Sequence, residues 1–189
     1  MTFAAAASET LAEAIDSAKK QAVDGGKTFE APANLKFHEL AKDSIVVIVN
    51  KDNPVSALSK DQLKAIHTGK VKNWKEVGGP DLAIKVVTSH AGSATRNVFA
   101  KQIMDGAAYV ADAAEVRTTR EEINEVSKDK GAIGAVSEGF FEMNKGNTKL
   151  VKAPAISRPL GLVTKGDASA EVQKVIDFFV KGPGKALIQ

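Results

Sequence analysis

Cysteine is absent from the 189 residues, which removes disulfides, thiolate metal sites, iron–sulfur clusters and thiol catalysis together. Aromatic residues are scarce at 5%, with Trp74 and Tyr109 as single copies. That argues against a surface built to stack bases, and nucleic acid is not an expected partner. Long apolar runs are missing as well. The strongest, Ile45 to Val49, falls far short of the roughly 20 residues a membrane helix needs, so no membrane span is expected. Charge of one sign is not in excess: 26 Lys and Arg against 23 Asp and Glu give +3, with no run of five basic residues. A weak positive balance helps attract a small anion but does not announce a polyanion. The start, Met1-Thr2-Phe3 followed by four alanines, has neither a basic n-region nor a proper h-region, so no export signal is visible.

What is present is enough apolar material for a core. Hydrophobic residues make up 43% of a length that fits one compact α/β domain or two small lobes. Thr10-x-x-Glu13 reads as a capping box opening a helix that Gly25-Gly26 stops, and residues 27–42 read as irregular. Ser44 to Asn50 is apolar and β-branched throughout, as suits a strand buried on both faces. Ser59-x-x-Gln62 opens a short helix that Gly69 closes, and Gly78-Gly79-Pro80 is a turn. Ile84 to Thr88 is a second strand, leading through His90-Ala91-Gly92-Ser93 into a helix carrying Val98, Phe99 and Ile103. Thr119-x-x-Glu122 opens a third unit whose helix ends at Gly131 before strand Ala132 to Ser137. Leu150 to Ala153 and Pro159 to Thr164 read as further strands. Ser169 caps a last helix with Val172, Val175, Ile176 and Phe179 on one face. Strands alternating with helices predict an α/β fold with a mostly parallel sheet flanked by helices.

The most informative stretch is Gly92-Ser93-Ala94-Thr95-Arg96, between a buried strand and a helix. Glycine allows a sharp turn and close approach of a ligand. Ser93 and Thr95 offer hydroxyls, and the first amides of the helix are unpaired at the positive end of its dipole. Such a loop at the carboxyl end of a strand can cradle an anion. By themselves the five residues fit a plain helix cap better than a ligand site, since caps prefer these residue types, with Arg96 an ordinary surface charge. His90 lies at the mouth of the loop and is a candidate ligand contact, whereas His38 and His67 read as structural. The three histidines lack metal-type spacing, and no cofactor is indicated. Catalysis finds no motif either. Gly-x-Ser-x-Gly and the phosphate-loop pattern are both missing, and Glu121-Glu122 reads as first-turn compensation of the helix dipole.

Several segments together resemble the phosphate-binding proteins of ABC transporters. Leu63-Lys-Ala-Ile-His-Thr-Gly-Lys-Val-Lys-Asn-Trp-Lys-Glu-Val-Gly-Gly79 is similar to that family's signature. Further matches are Ile45 to Asn50 followed by Asn53-Pro54, the Gly-Ser-Ala-Thr-Arg loop, Gly131 to Ser137, Ser157-Arg-Pro-Leu160 and the ending Val175 to Gly184. They run in order over roughly residues 40–189. The resemblance implies a type II periplasmic-binding-protein-like fold, with one complete lobe and a partial second lobe joined by two crossing strands. Residues 1–43 would be the partial first lobe, 44–164 the second lobe bounded by hinge strands, and 165–189 a C-terminal helical segment packing on the hinge or first lobe. An anion would be held between the lobes, with Ser93, Ala94 and Thr95 in the phosphate loop and Glu9 in place of the family's proton-accepting Asp. A membrane permease would be the partner, and the location periplasmic or extracellular.

Three departures accompany the matches. The family's Arg four residues before the loop serine is Ser89 here, its second loop glycine is Ala94, and the segment before Ala7-Ser8-Glu9 that carries the other phosphate loop is absent. Two readings therefore stand. One is a solute-binding module for phosphate or a related oxyanion, serving ABC-transporter uptake. The other is a degenerate fold that has lost its ligand and acts in protein interaction, where an open sheet edge or apolar face would invite homodimers.

Overall fold

A computed structural model describes residues 6–7 and 34–187 of the chain. The helix expected from Thr10 and the candidate Glu9 lie outside the described residues. The elements in order are β1 (Ala6–Ala7), β2 (Leu35–Asn50), α1 (Lys60–His67), a 3-10 turn (Trp74–Val77), β3 (Lys85–Ser89), α2 (Ala94–Gln102), β4 (Ala114–Val116), α3 (Thr119–Lys128), β5 (Ala132–Ser137), α4 (Glu138–Met143), β6 (Thr148–Lys165) and α5 (Ala170–Val180), followed by a 3-10 turn at Pro183–Leu187. The chain divides into two compact units, Met1–Asp43 with Arg158–Gln189, and Ser44–Ser157. Strands β2 and β6 are long enough to run through both.

In the Ser44–Ser157 unit, β2 lies antiparallel to β5 from Ile45 opposite Ser137 to Val49 opposite Ile133. Parallel pairing, expected of most of the sheet, is confined to β3 with β5 and β3 with β4. The sheet is mixed because only β3, β4 and β5 are linked by helical crossovers, whereas β2 runs against its neighbour β5. Alternation along the strands sorts the core. Ile45, Val47, Val49, Val86 and Ile133 face a layer with Leu63, Ile66, Trp74, Phe99 and Ile103. Ile48, Val87 and Val136 face the other layer, with Ile123 and Val126 of α3 and Phe141 of α4. Trp74 is fully buried, and its indole N–H donates to the Gly131 carbonyl at 2.9 Å.

The chain leaving β3 thus goes to one face of the sheet, through α2, and the chain leaving the adjacent β5 goes to the other, through α4. Divergence of this kind marks a topological switch point, and open α/β sheets bind ligands outside the carboxyl ends of strands at such points.

In the other unit, β1 pairs antiparallel with β6 through Ala6 opposite Gly161 and Ala7 opposite Leu160. Strands β6 and β2 are neighbours in the sheet. His38 Nε2 lies 2.8 Å from the Thr164 hydroxyl, and the Gly166 amide donates to the Asn34 carbonyl at 2.6 Å. Gly161 permits that approach: a Cβ there would stand 2.2 Å from the His38 carbonyl oxygen.

The secondary structure departs from the sequence reading at five further places. Residues 35–42 are strand rather than irregular, since Leu35 and Phe37 alternate with Lys36 and His38 on a half-exposed ribbon. The two strands expected at 150–164 are one, because the fixed φ of Pro154 and Pro159 suits extended backbone. Strand β4, three residues long, carried no pattern. The cap of α3 is Thr118, whose hydroxyl accepts from the Glu121 amide at 3.2 Å, one residue before the expected Thr119. On α5, Ile176 is buried but Val175 is 48% exposed.

Candidate functional site

Strand β3 ends in a buried Ser89, and the chain then turns through exposed His90, Ala91 and Gly92 into half-buried Ser93 to Arg96. The turn is closed internally. The Ser93 amide donates to the His90 carbonyl at 2.9 Å, the Gly92 amide to His90 Nδ1 at 3.2 Å, and the His90 amide to the Val116 carbonyl at 2.9 Å. The first helical bond of α2 runs from the Asn97 amide to the Ser93 carbonyl at 3.1 Å. The amides of Ala94, Thr95 and Arg96 therefore precede any helical acceptor, at the positive end of the helix. Ser93 occupies the N-cap position, yet its side chain makes no capping bond. The plain-cap alternative is thus not what this serine does, and its hydroxyl stands beside three amides that need an acceptor.

Arg96 turns back over the loop. One guanidinium nitrogen donates to the Ser89 carbonyl at 3.0 Å and to the Glu115 carboxylate at 2.5 Å, and the group lies 4.9 Å from the centre of the Tyr109 ring. Burial raises the Tyr109 phenol well above its ordinary range. The structure brings together Ser89, His90, Gly92, Ser93, Ala94, Thr95 and Arg96. Ser89 is the one turned inward, its hydroxyl donating to Glu122 at 2.8 Å.

Glu122 is not the exposed first-turn charge that the sequence suggested. Because the helix begins one residue earlier, Glu121 takes the N-terminal role, its carboxylate accepting from the Arg117 amide at 2.8 Å. Glu122 points into the sheet at 1% exposure and accepts from the Ser89 hydroxyl and from the Ala135 amide at 2.9 Å. Burial pushes its carboxyl up to about 7, against the lowering effect of those two donors.

Beside the loop is a cavity of about 440 Å³ lined by His90, Glu115, Val116 and Arg117. Arg117 follows Val116, which pairs with Ser89 across β3 and β4, so the edge strand carries an exposed cation to the carboxyl end of β3. No ion pair involves its guanidinium among the described residues. Sequence reasoning missed Arg117 because β4 is too short to be recognised. No group of three or more metal-ligating residues occurs among the described residues, and no helix there is long and apolar enough to cross a membrane.

Several known proteins are similar to this chain in sequence and fold. A Staphylococcus epidermidis phosphate-binding protein, PstS, is 33% identical over 190 residues, covering 88% of this chain and 55% of its own. The PstS of Staphylococcus haemolyticus is 32% identical over 180 residues, covering 81% of this chain and 56% of its own. The chain therefore spans about half the length of these curated relatives. Among solved structures, a Clostridium perfringens chain with bound phosphate, assigned to phosphate ABC transporter substrate-binding proteins, superposes with a TM-score of 0.75 at 26% identity. It covers 98% of this chain and 75% of that one. An ABC-type phosphate transport receptor from Vibrio cholerae gives 0.67 at 28% identity, over 84% of this chain and 71% of that one. The family model for the PBP superfamily domain matches residues 4–182, and this chain belongs to that superfamily.

Proposed function

We propose that this protein binds inorganic phosphate, or a closely related tetrahedral oxyanion, as the receptor for an ABC-transporter permease outside the cytoplasmic membrane, and that it acts by binding rather than by catalysis. One observation carries the reading: an uncapped Ser93 hydroxyl beside the free first amides of α2, at the carboxyl end of a central strand. Phosphate would accept from the Ala94, Thr95 and Arg96 amides and from the Ser93 and Thr95 hydroxyls, with the helix dipole supplying partial positive charge. The relatives named above for phosphate, one of them solved with phosphate bound, support the same ligand.

Arg117 takes the place of the cation that Ser89 lacks. It stands on the strand next to β3, on the cavity shared with His90, so it can reach the outer oxygens of an anion seated on the loop. Charge-assisted bonds of this kind contribute about 1.5–3 kcal/mol each. Arg96, held by Glu115 and the Ser89 carbonyl, stiffens the loop and adds positive potential from behind. Nothing in the comparisons favours a fold that has lost its ligand.

Titration calorimetry with phosphate tests the proposal. The protein should bind phosphate, the double change Ser93→Ala with Thr95→Val should weaken binding by at least about a hundredfold, and Arg117→Ala should weaken it by about tenfold or more. Absence of any heat or melting shift at millimolar phosphate would overturn it.

A further inference from the structure

Resting on the anion-binding reading above, we propose that Glu122 is a proton-linked positioning residue for the loop: its carboxyl lies beneath the anion site, and anion binding is coupled to its holding a proton. Several observations converge on it. Glu122 is almost fully enclosed at 1% exposure, and no cation pairs with it among the described residues. Its two oxygens serve different elements, Oε2 accepting from the Ser89 hydroxyl of β3 at 2.8 Å and Oε1 from the Ala135 amide of β5 at 2.9 Å. The two parallel neighbours β3 and β5 are thereby joined through one carboxyl group.

The space for that group is built in. Gly134 faces α3, and a Cβ there would come within 3.0 Å of Oε1 and 3.2 Å of Cγ. The link continues outward, because the residue that donates to Glu122 also accepts, through its carbonyl, from Arg96 of the loop at 3.0 Å. A change in the charge of Glu122 is thus felt two bonded groups away, at the turn where the bare amides lie.

Few other ionisable groups surround it. From β3 comes only the Ser89 hydroxyl, and from β5 only the Ala135 amide. Tyr109 and Arg96 lie on the α2 side, where the Glu122 charge further raises the Tyr109 phenol. Glu115 of β4 is exposed and already paired to Arg96. Glu121 and Glu125, its acidic neighbours on α3, are engaged at the surface by the Arg117 amide and by Lys85 with Lys128. The group is therefore the single buried carboxyl among the described residues, bonded to the residue from which the loop departs, and burial pushes it up to about 7.

The consequence for binding follows from sign alone. An ionised carboxylate under the loop repels the incoming anion in a low-dielectric setting, and a protonated carboxyl does not. By linkage, an anion that prefers the protonated form raises the proton affinity of Glu122 by the same factor.

The test measures inorganic phosphate Kd from pH 5.5 to 8.5 for the wild type and for Glu122→Gln. Comparing the two proteins at each pH cancels the titration of phosphate itself. The wild-type Kd divided by the variant Kd should rise by about three- to tenfold from the lowest to the highest pH. In parallel, the Glu122 side-chain carbon signal is titrated in the wild type by NMR with and without saturating phosphate. Its midpoint should move to higher pH when phosphate is bound, and this readout needs no variant. A ratio flat with pH, or a midpoint that phosphate does not move, overturns the coupling while leaving the anion site in place. Absence of phosphate binding by both proteins overturns the proposed function and this inference with it.

Discussion

Arg158 holds one oxygen of Asp43 with two guanidinium nitrogens, Nε at 2.9 Å and Nη2 at 2.7 Å, and each side chain is only 12% exposed. Both residues belong to the unit formed by Met1–Asp43 and Arg158–Gln189, in which the pair ties β2 to β6. Removing one partner of a largely buried ion pair leaves a charge without compensation, which costs about 3 kcal/mol. Asp43→Asn should lower stability in urea unfolding by about that amount, whereas changing both residues to a size-matched apolar pair should cost less. Equal losses for the single and double changes would contradict this account.

Glu122 should make the protein less stable as pH rises. Its carboxyl titrates at about 7 in the folded chain against 4.5 in the unfolded one. The folded state therefore holds more protons at this group between those values, and the stability Glu122 contributes is fully present below 4.5 and falls as pH climbs to 7. Glu122→Gln should remove this slope. Its melting temperature relative to wild type should increase from pH 5 to pH 8, by an amount equivalent to about 3 kcal/mol. A constant difference across that range would show that the burial of Glu122 has no such consequence.

His67 produces the opposite slope. It is fully buried between Phe99, at 4.6 Å between ring centres, and Tyr109, and burial holds its imidazole down to about 4. Its Nδ1 lies 2.8 Å from the Leu63 carbonyl and so carries the proton, while Nε2 has no partner. The neutral ring is stabilising above 6.5, and that contribution is lost as pH falls from 6.5 towards 4. In a Glu122→Gln background, stability should drop by about 3 kcal/mol over that interval, and His67→Phe should flatten the drop. A His67→Phe protein that still lost stability as steeply would place the acid sensitivity elsewhere.

Gly134→Ala should disturb Glu122 specifically. The added methyl would press on the carboxyl at 3.0 Å, in a core with no slack. A destabilisation of about 1–3 kcal/mol is expected, and it should shrink in a Glu122→Ala background, where the space is vacated. Additive effects of the two changes, measured by thermal unfolding, would contradict the contact.

The central strands were legible in the sequence because continuous β-branched runs such as Ser44 to Asn50 have few alternatives, and the Ser59-x-x-Gln62 box placed the start of α1 to the residue, but the antiparallel pairing of β2 with β5 was not legible. The loop was legible because Gly92 and Ser93 stand between a strand and an amphipathic stretch. Other features depend on information that local pattern does not carry. Strand β4 is three residues whose extension is set by pairing with β3, so Arg117 at its end went unnoticed. The burial of Glu122 hinged on a one-residue shift of the α3 cap, from Thr119 to Thr118, which turned a presumed surface charge into the core. Whether Ser93 caps its helix is a matter of side-chain rotamer, which spacing cannot decide.

The central claim is that the free amides at the start of α2 receive the anion, and a phosphate titration followed by amide NMR tests it most directly. The account predicts that the Ala94, Thr95 and Arg96 amide protons move downfield together and saturate with one common Kd. Phosphate binding that left those three resonances in place would contradict it.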